Sequence, residues 1–153
     1  MRAKSGFTLV EILIVVVILG ILAAIVIPQF TDASTQANES RLCADLQTLR
    51  SQLELYKIQH KDQLPPGDLA GFTTAMTTKG ADGYGPYMQK LPSNPFIDPA
   101  TGDPDGFKFE SGAATVPSDG LTGWWLNVDN GEVRANDNWN VDTDPGTYDH
   151  AGL

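Results

Sequence analysis

Residues Ile12 to Ile27 are apolar throughout apart from Gly20, and the run is opened by a single acidic residue, Glu11. Phe7 to Phe30 spans 24 residues, about 36 Å of helix at 1.5 Å per residue, which is long enough for a hydrocarbon core about 30 Å thick. Arg2 and Lys4 precede it, so the N-terminus belongs in the cytoplasm and the rest of the chain outside. Three readings compete: a cleaved secretory signal, a plain anchor, or a segment that is processed and then kept. A secretory signal is cut after its apolar region, at small residues; here polar helix follows and no A-x-A-like site closes the run. A plain anchor leaves Glu11 unexplained, because an ionised side chain at bilayer depth costs about 2.5–3.5 kcal/mol and is functional by default. The third reading accounts for all of these features.

Lys4-Ser5-Gly6-Phe7-Thr8-Leu9-Val10-Glu11 resembles the prepilin processing motif of type IV pilins and type II secretion pseudopilins. The resemblance is specific from residue 4 to about residue 35 and weak beyond. It implies that a dedicated inner-membrane peptidase cuts between Gly6 and Phe7 and methylates the new amine of Phe7. It implies that Glu11 is the assembly glutamate, and that Gly20 and Pro28 lie where the helix loosens on filament assembly. The partners it implies are further copies of the chain in a helical homopolymer, the prepilin peptidase, an inner-membrane assembly platform, minor pseudopilins, and lipid before assembly. The fold it implies is α+β and pilin-like, a long N-terminal helix packed on a small antiparallel sheet.

The chemistry of such a cut is consistent with that role. Cleavage at Gly6 would leave a cationic amine at the head of an apolar helix, able to meet the carboxylate of Glu11 on a neighbouring copy. Opposite charges at contact distance in a medium of intermediate dielectric offset the cost of burying a lone carboxylate. A contact of this head-to-tail kind does not close on itself, so it generates a helical filament.

Pro28 removes a backbone donor and crowds the preceding turn, so a kink or a loosened ladder is expected there; Gly20 is a second weak point. Beyond Pro28 the pattern turns amphipathic. Leu42, Leu46, Leu49, Leu53 and Tyr56 recur at intervals of 4, 3, 4 and 3, which lines one helical face. The helix is expected to run to about His60, with Pro65-Pro66-Gly67 as its stop. The chain thus divides into a leader (1–6), a membrane and assembly helix (7–30), an amphipathic helix (31–60) and a C-terminal head with an acidic tail (61–153).

In the head, Asp68 is a candidate cap for a short helix carrying Leu69, Phe72 and Met76 on one side. Residues 79–86 read as loop, and the prolines of Leu91-Pro92-Ser93-Asn94-Pro95-Phe96 disfavour a central strand. That stretch resembles the proline-and-aromatic loop leading into the sheet of major pseudopilins. Phe107-Lys108-Phe109-Glu110 alternates as a half-buried strand. Gly123 to Ala135 reads as a hairpin, with Trp124, Leu126 and Val128 on one face, Asn130-Gly131 in the turn, and Val133 and Ala135 returning. About three antiparallel strands are expected.

The 153 residues carry 10 basic and 19 acidic side chains, a net charge of −9. Without Arg2 and Lys4, eight basic side chains face 19 acidic ones, a balance of −11. The basic residues form no cluster, so nucleic-acid contact has no electrostatic footprint. From Asp98 onward, 11 acidic residues are balanced by Lys108 and Arg134 alone. Asn138, Asn140, Asp142 and Asp144 alternate in the tail, with Asp137 and Asp149 near. Such oxygen-rich stretches suit calcium, although Thr143 stands where an EF-hand loop would have its glycine. The resemblance to major pseudopilins makes Asp137, Asp142 and Asp144 the candidate calcium ligands; the other reading is a solvated acidic tail.

Cys43 is the sole cysteine, which excludes an intramolecular disulfide. Many type IV pilins carry one near the C-terminus, so this departure favours the major pseudopilin of a type II secretion system over a pilin for adhesion, motility or DNA uptake. No enzymatic constellation stands out: His60 and His150 are far apart, and no serine sits in a nucleophile elbow. Trp124, Trp125 and Trp139 raise a further alternative, a membrane-anchored carbohydrate-binding module, against the commoner role of strand aromatics as core.

Overall fold

The computed structural model describes residues 8–112 and 115–137, with the side chains of residues 28, 29, 31 and 32 outside that description. The elements in order are α1 (Leu9–Gln59), α2 (Leu69–Thr77), β1 (Asp103–Glu110), β2 (Thr122–Asn127) and β3 (Val133–Ala135). Two compact units divide the chain, Met1–Glu39 and Ser40–Leu153.

In the first unit, Leu9–Ile27 is a helix long and apolar enough to cross a membrane, and none of it is buried. The helical assignment continues through Pro28 to Gln59, so the expected weak point does not end the helix.

The second unit holds the core. Leu42, Leu46, Leu49 and Leu53 are each at most 3% exposed, as their spacing predicts. They pack with Phe72 and Met76 of α2, Leu91, Phe107 of β1, Trp124 and Leu126 of β2, and Val133 and Ala135 of β3. Each fully buried leucine contributes about 1.5–3 kcal/mol from apolar burial. Tyr56 sits partly buried at the edge of this cluster.

Helix α1 ends at Gln59, close to the expected His60, but through its own C-terminal turn and not at the prolines. Lys61 and Asp62 take left-handed φ values of 57° and 65°, and the Asp62 N–H donates to the Lys57 carbonyl at 2.8 Å. That is the 6→1 bond of a Schellman-type C-terminus. The cap of α2 is as predicted: the Asp68 carboxylate accepts from the Gly71 N–H at 2.8 Å. Phe72 and Met76 face the core, whereas Leu69 is 40% exposed and lies outside the expected apolar side.

The sheet corrects the sequence reading. Its order is β1-β2-β3, with β2 and β3 antiparallel but β1 and β2 parallel. The fold is therefore α+β with a mixed sheet. Strand β1 also begins earlier than the Phe107–Glu110 alternation suggests, at Asp103, with an irregularity before Phe107. Gly123 is what allows the two strands to approach there, because a Cβ at that position would lie 2.0 Å from the Pro104 carbonyl oxygen. The hairpin forms as expected, with Leu126 opposite Val133 and Trp124 opposite Ala135. Gly131 supplies the left-handed residue of its turn at φ 78°.

The Leu91–Phe96 stretch is irregular and tightly bound. Trp124 Nε1 donates to the Pro92 carbonyl at 2.8 Å. Asn94, 1% exposed, donates through Nδ2 to the Gly123 carbonyl and to Asp137 Oδ2, both at 2.9 Å.

Candidate processing and assembly site

Thr8 and Glu11 form a closed local pair at the head of α1. The Thr8 backbone N–H donates to Glu11 Oε2 at 2.8 Å, and the Thr8 hydroxyl donates to the same oxygen at 2.9 Å. In return the Glu11 N–H donates to Thr8 Oγ1 at 3.3 Å. This is a reciprocal capping box, Thr-x-x-Glu, which satisfies donors that the first turn would otherwise leave open. The acidic group also sits at the positive end of the helix dipole.

Glu11 thus has a stabilising role inside its own chain, and Thr8 joins it. The spacing of Thr8 and Glu11 was visible in the sequence as a capping signature, yet the sequence reading assigned Thr8 no role. Among the described residues the bonds to Glu11 use Oε2 alone, and the side chain is exposed. The second carboxylate oxygen is therefore available to an incoming cation. Gly6 and Phe7, the two sides of the expected cut, lie outside the described residues.

Gly20 has nothing within 4 Å of where a Cβ would stand, and the large apolar residues from Leu9 to Ile27 are 41–82% exposed. An apolar helix this exposed among the described residues calls for cover by lipid or by other chains. Pro28 lies in the helical run, but its side chain is outside the described residues.

The tail candidates divide in the same way. Asp142 and Asp144 lie outside the described residues. Asp137 is 1% exposed and accepts from Asn94. Its neighbour Asn136, fully buried, accepts from the Ser118 N–H at 3.0 Å and donates to Thr122 Oγ1 at 2.7 Å. The entry to the tail is thus fixed to the start of β2 and to the Asn94 loop. Among the described residues no three His, Cys, Asp or Glu side chains gather as a metal site.

The carbohydrate-binding alternative loses two of its three rings. Trp124 is fully buried and Trp125 is 1% exposed, with Trp125 Nε1 donating to Glu110 Oε2 at 3.1 Å; Trp139 lies outside the described residues. A ring sealed inside the head cannot stack on a sugar. Of the two histidines, His150 is outside the described residues, and His60 is engaged by Asp82 at 2.9 Å.

Comparison with known proteins agrees with the geometry. Residues 1–27 match the family model described as the prokaryotic N-terminal methylation motif. The type II secretion system core protein G of Vibrio cholerae serotype O1 is 32% identical over 147 residues, covering 92% of this chain and 95% of the relative. The core protein G of Dickeya chrysanthemi is 30% identical over 151 residues, covering 91% and 97%. The type IV narrow pilus major component PilA5 of Thermus thermophilus is 40% identical over 87 residues, covering 54% and 74%. No solved structure gives a significant match. With near-complete overlap on both sides, an N-terminal methylation motif, an exposed apolar helix and a small α+β head, the chain belongs to the pilin-like family that includes the type II secretion system core protein G.

Proposed function

We propose that this protein is the major pseudopilin of a type II secretion system, a structural subunit of a helical filament drawn from the inner membrane. The single observation that carries this reading is the alignment with a core protein G across 92% of this chain and 95% of the relative. The exposed apolar segment Leu9–Ile27 supplies what such a subunit needs, a helix that rests in lipid and later packs among its copies. Prepilin peptidase would cut between Gly6 and Phe7 and methylate Phe7. The new amine would meet the free oxygen of Glu11 on a neighbouring chain, while Thr8 keeps the carboxylate oriented through the other oxygen. Before assembly the head faces the periplasm and the leader the cytoplasm. The assembly platform and minor pseudopilins complete the set of partners.

Filament yield tests this reading. A strain carrying Glu11→Ala as its sole copy should insert the protein normally and assemble few or no filaments. Normal yield would remove the carboxylate from assembly.

The 40% identity to a narrow-pilus component over 87 residues favours a second reading, a type IV pilin. Deleting the gene separates the two. Loss of protein export with intact surface pili marks the secretion role, and loss of pili with intact export marks the other.

We further propose that calcium binds the acidic tail through Asp137, Asp142 and Asp144. What supports this is the density of oxygen donors in the tail and the excess of negative charge from Asp98 onward, which opposes compaction unless a cation neutralises it.

A further inference from the structure

At the end of α1 one histidine is placed between two acceptors. His60 Nδ1 lies 2.9 Å from the Tyr56 carbonyl oxygen, and Nε2 lies 2.9 Å from Asp82 Oδ2. Neither a carbonyl nor a carboxylate can donate, and a neutral imidazole carries a single N–H. Only the doubly protonated ring makes both bonds; the neutral ring turns one lone pair towards an acceptor. The surroundings suit a cation. Tyr56 stacks on the ring with centroids 3.9 Å apart and planes 11° apart, and Tyr84 meets it edge-on at 5.6 Å. Aromatic faces within about 6 Å attract a cation. The last turn of α1 is also the negative end of its dipole.

Asp82 belongs to a turn that is otherwise bonded to itself. The Gly80 N–H donates to the Tyr84 carbonyl at 2.8 Å and the Gly83 N–H to the Gly80 carbonyl at 3.1 Å. The Tyr84 N–H donates to Asp82 Oδ1 at 3.1 Å. Among the described residues, the hydrogen bond that ties Gly80–Tyr84 to α1 is the one from His60. The next tie along the chain is the Tyr87 hydroxyl on Gln59 Oε1, at 2.7 Å.

We propose that His60 is a pH-sensitive latch that holds the Lys79–Tyr87 segment against the end of α1 most firmly when its ring is doubly protonated, and that loosens when a proton is lost, because the one remaining N–H serves either the Tyr56 carbonyl or Asp82 and the bond to Asp82 is no longer charge-assisted. The titratable and charged groups facing the ring are Tyr56 on α1 and Lys79, Asp82, Tyr84 and Tyr87 on the loop; the α2 residues lining this cleft, Thr74 and Ala75, carry no charge. Lys57, one turn away, is occupied by Glu54 and Asp62. The acid limit comes from Asp82. The Tyr84 N–H above all holds its carboxyl below the usual carboxylate range; burial opposes this, and the bond and charge of His60 add smaller lowering effects. Its contribution is therefore present above the ordinary aspartate range and lost as pH falls through the lowered value. The alkaline limit is loss of the second imidazole proton.

Hydrogen–deuterium exchange on the full-length protein in detergent micelles tests the latch. Exchange is compared at about pH 5.5 and 8, after correction for intrinsic rates, a span across which imidazoles as a class change charge. In the wild type, protection across residues 79–87 should be about fivefold lower at the higher pH, a size in keeping with a charge-assisted bond whose partners are 21% and 42% exposed. In His60→Gln and in Asp82→Asn the difference between the two pH values should vanish. Peptides covering Leu42–Leu53 should keep equal protection in all three proteins, which confirms an intact core. Equal protection at both pH values in the wild type, or the same pH dependence in either variant, would overturn the proposal.

Discussion

At the scale of single residues, several side chains stand where local geometry has an ordinary solution that this chain does not use. Lys61 occupies the left-handed position after α1 at φ 57°, a place where glycine avoids a steric penalty of about 1 kcal/mol. Lys61→Gly should therefore raise the stability of the head by about 0.5 kcal/mol, allowing for the extra freedom glycine has when unfolded; chemical denaturation would read it. Gly123 is the opposite case. Its Cβ would collide with the Pro104 carbonyl, so Gly123→Ala should cost at least the about 1–3 kcal/mol typical of overpacking and separate β1 from β2. An unchanged denaturation midpoint would show that the strands yield easily. Tyr56 and Tyr87 have phenols pushed up, first by burial and then by the negative charge of Asp82. Their raised values mean a contribution to stability that is complete below the ordinary tyrosine range and lost as pH rises through the folded values. Ultraviolet titration should accordingly show two phenols that ionise later than a free tyrosine and together with loss of structure.

At the scale of elements, the amphipathic half of α1 organises the head. Leu46 is 2% exposed and Leu49 1%, so either residue replaced by alanine should cost about 2–5 kcal/mol, whereas Ser51→Ala on the exposed face should change little. This stripe was legible because its period of 3.5 to 3.6 residues is a property of the sequence alone. So were the cap at Asp68 and the hairpin around Gly131, since each rests on a residue with a specific local chemistry. The direction of β1 was not legible. Alternation of Phe107, Lys108, Phe109 and Glu110 marks a strand equally well whichever way its neighbour runs, and the choice of a parallel partner is made by tertiary packing. The end of α1 near His60 was legible, but not what makes it: Pro65 and Pro66 are strong breakers, yet the chain has already turned at Lys61 through a conformation that lysine rarely adopts. The burial of Trp124 and Trp125 likewise depends on what covers both faces of the central strand.

At the scale of the whole molecule, the two compact units differ in where their apolar side chains lie. Among the described residues the apolar core lies between Leu42 and Ala135, within the unit Ser40–Leu153, while the large apolar side chains of Leu9–Ile27 are exposed. The acidic excess from Asp98 onward is charge that the folded chain must tolerate. A ligand that binds only the folded chain stabilises it by about 2.7 kcal/mol at a hundredfold excess over Kd, so the melting temperature should rise with calcium relative to chelator. Asp142→Ala or Asp144→Ala should remove most of the rise and Asp68→Ala should not; equal melting with calcium and with chelator would leave the tail as solvated surface.

Central to this account is a chain that is cut, kept and polymerised, and mass spectrometry of the N-terminal peptide of the protein recovered from its native membrane reads the first of these steps directly. The predicted result is a chain beginning at Phe7 with one methyl group on its amine, and Gly6 replaced by a bulky residue should leave the leader attached. A mature protein that begins at Met1, or after Ile27, would contradict it.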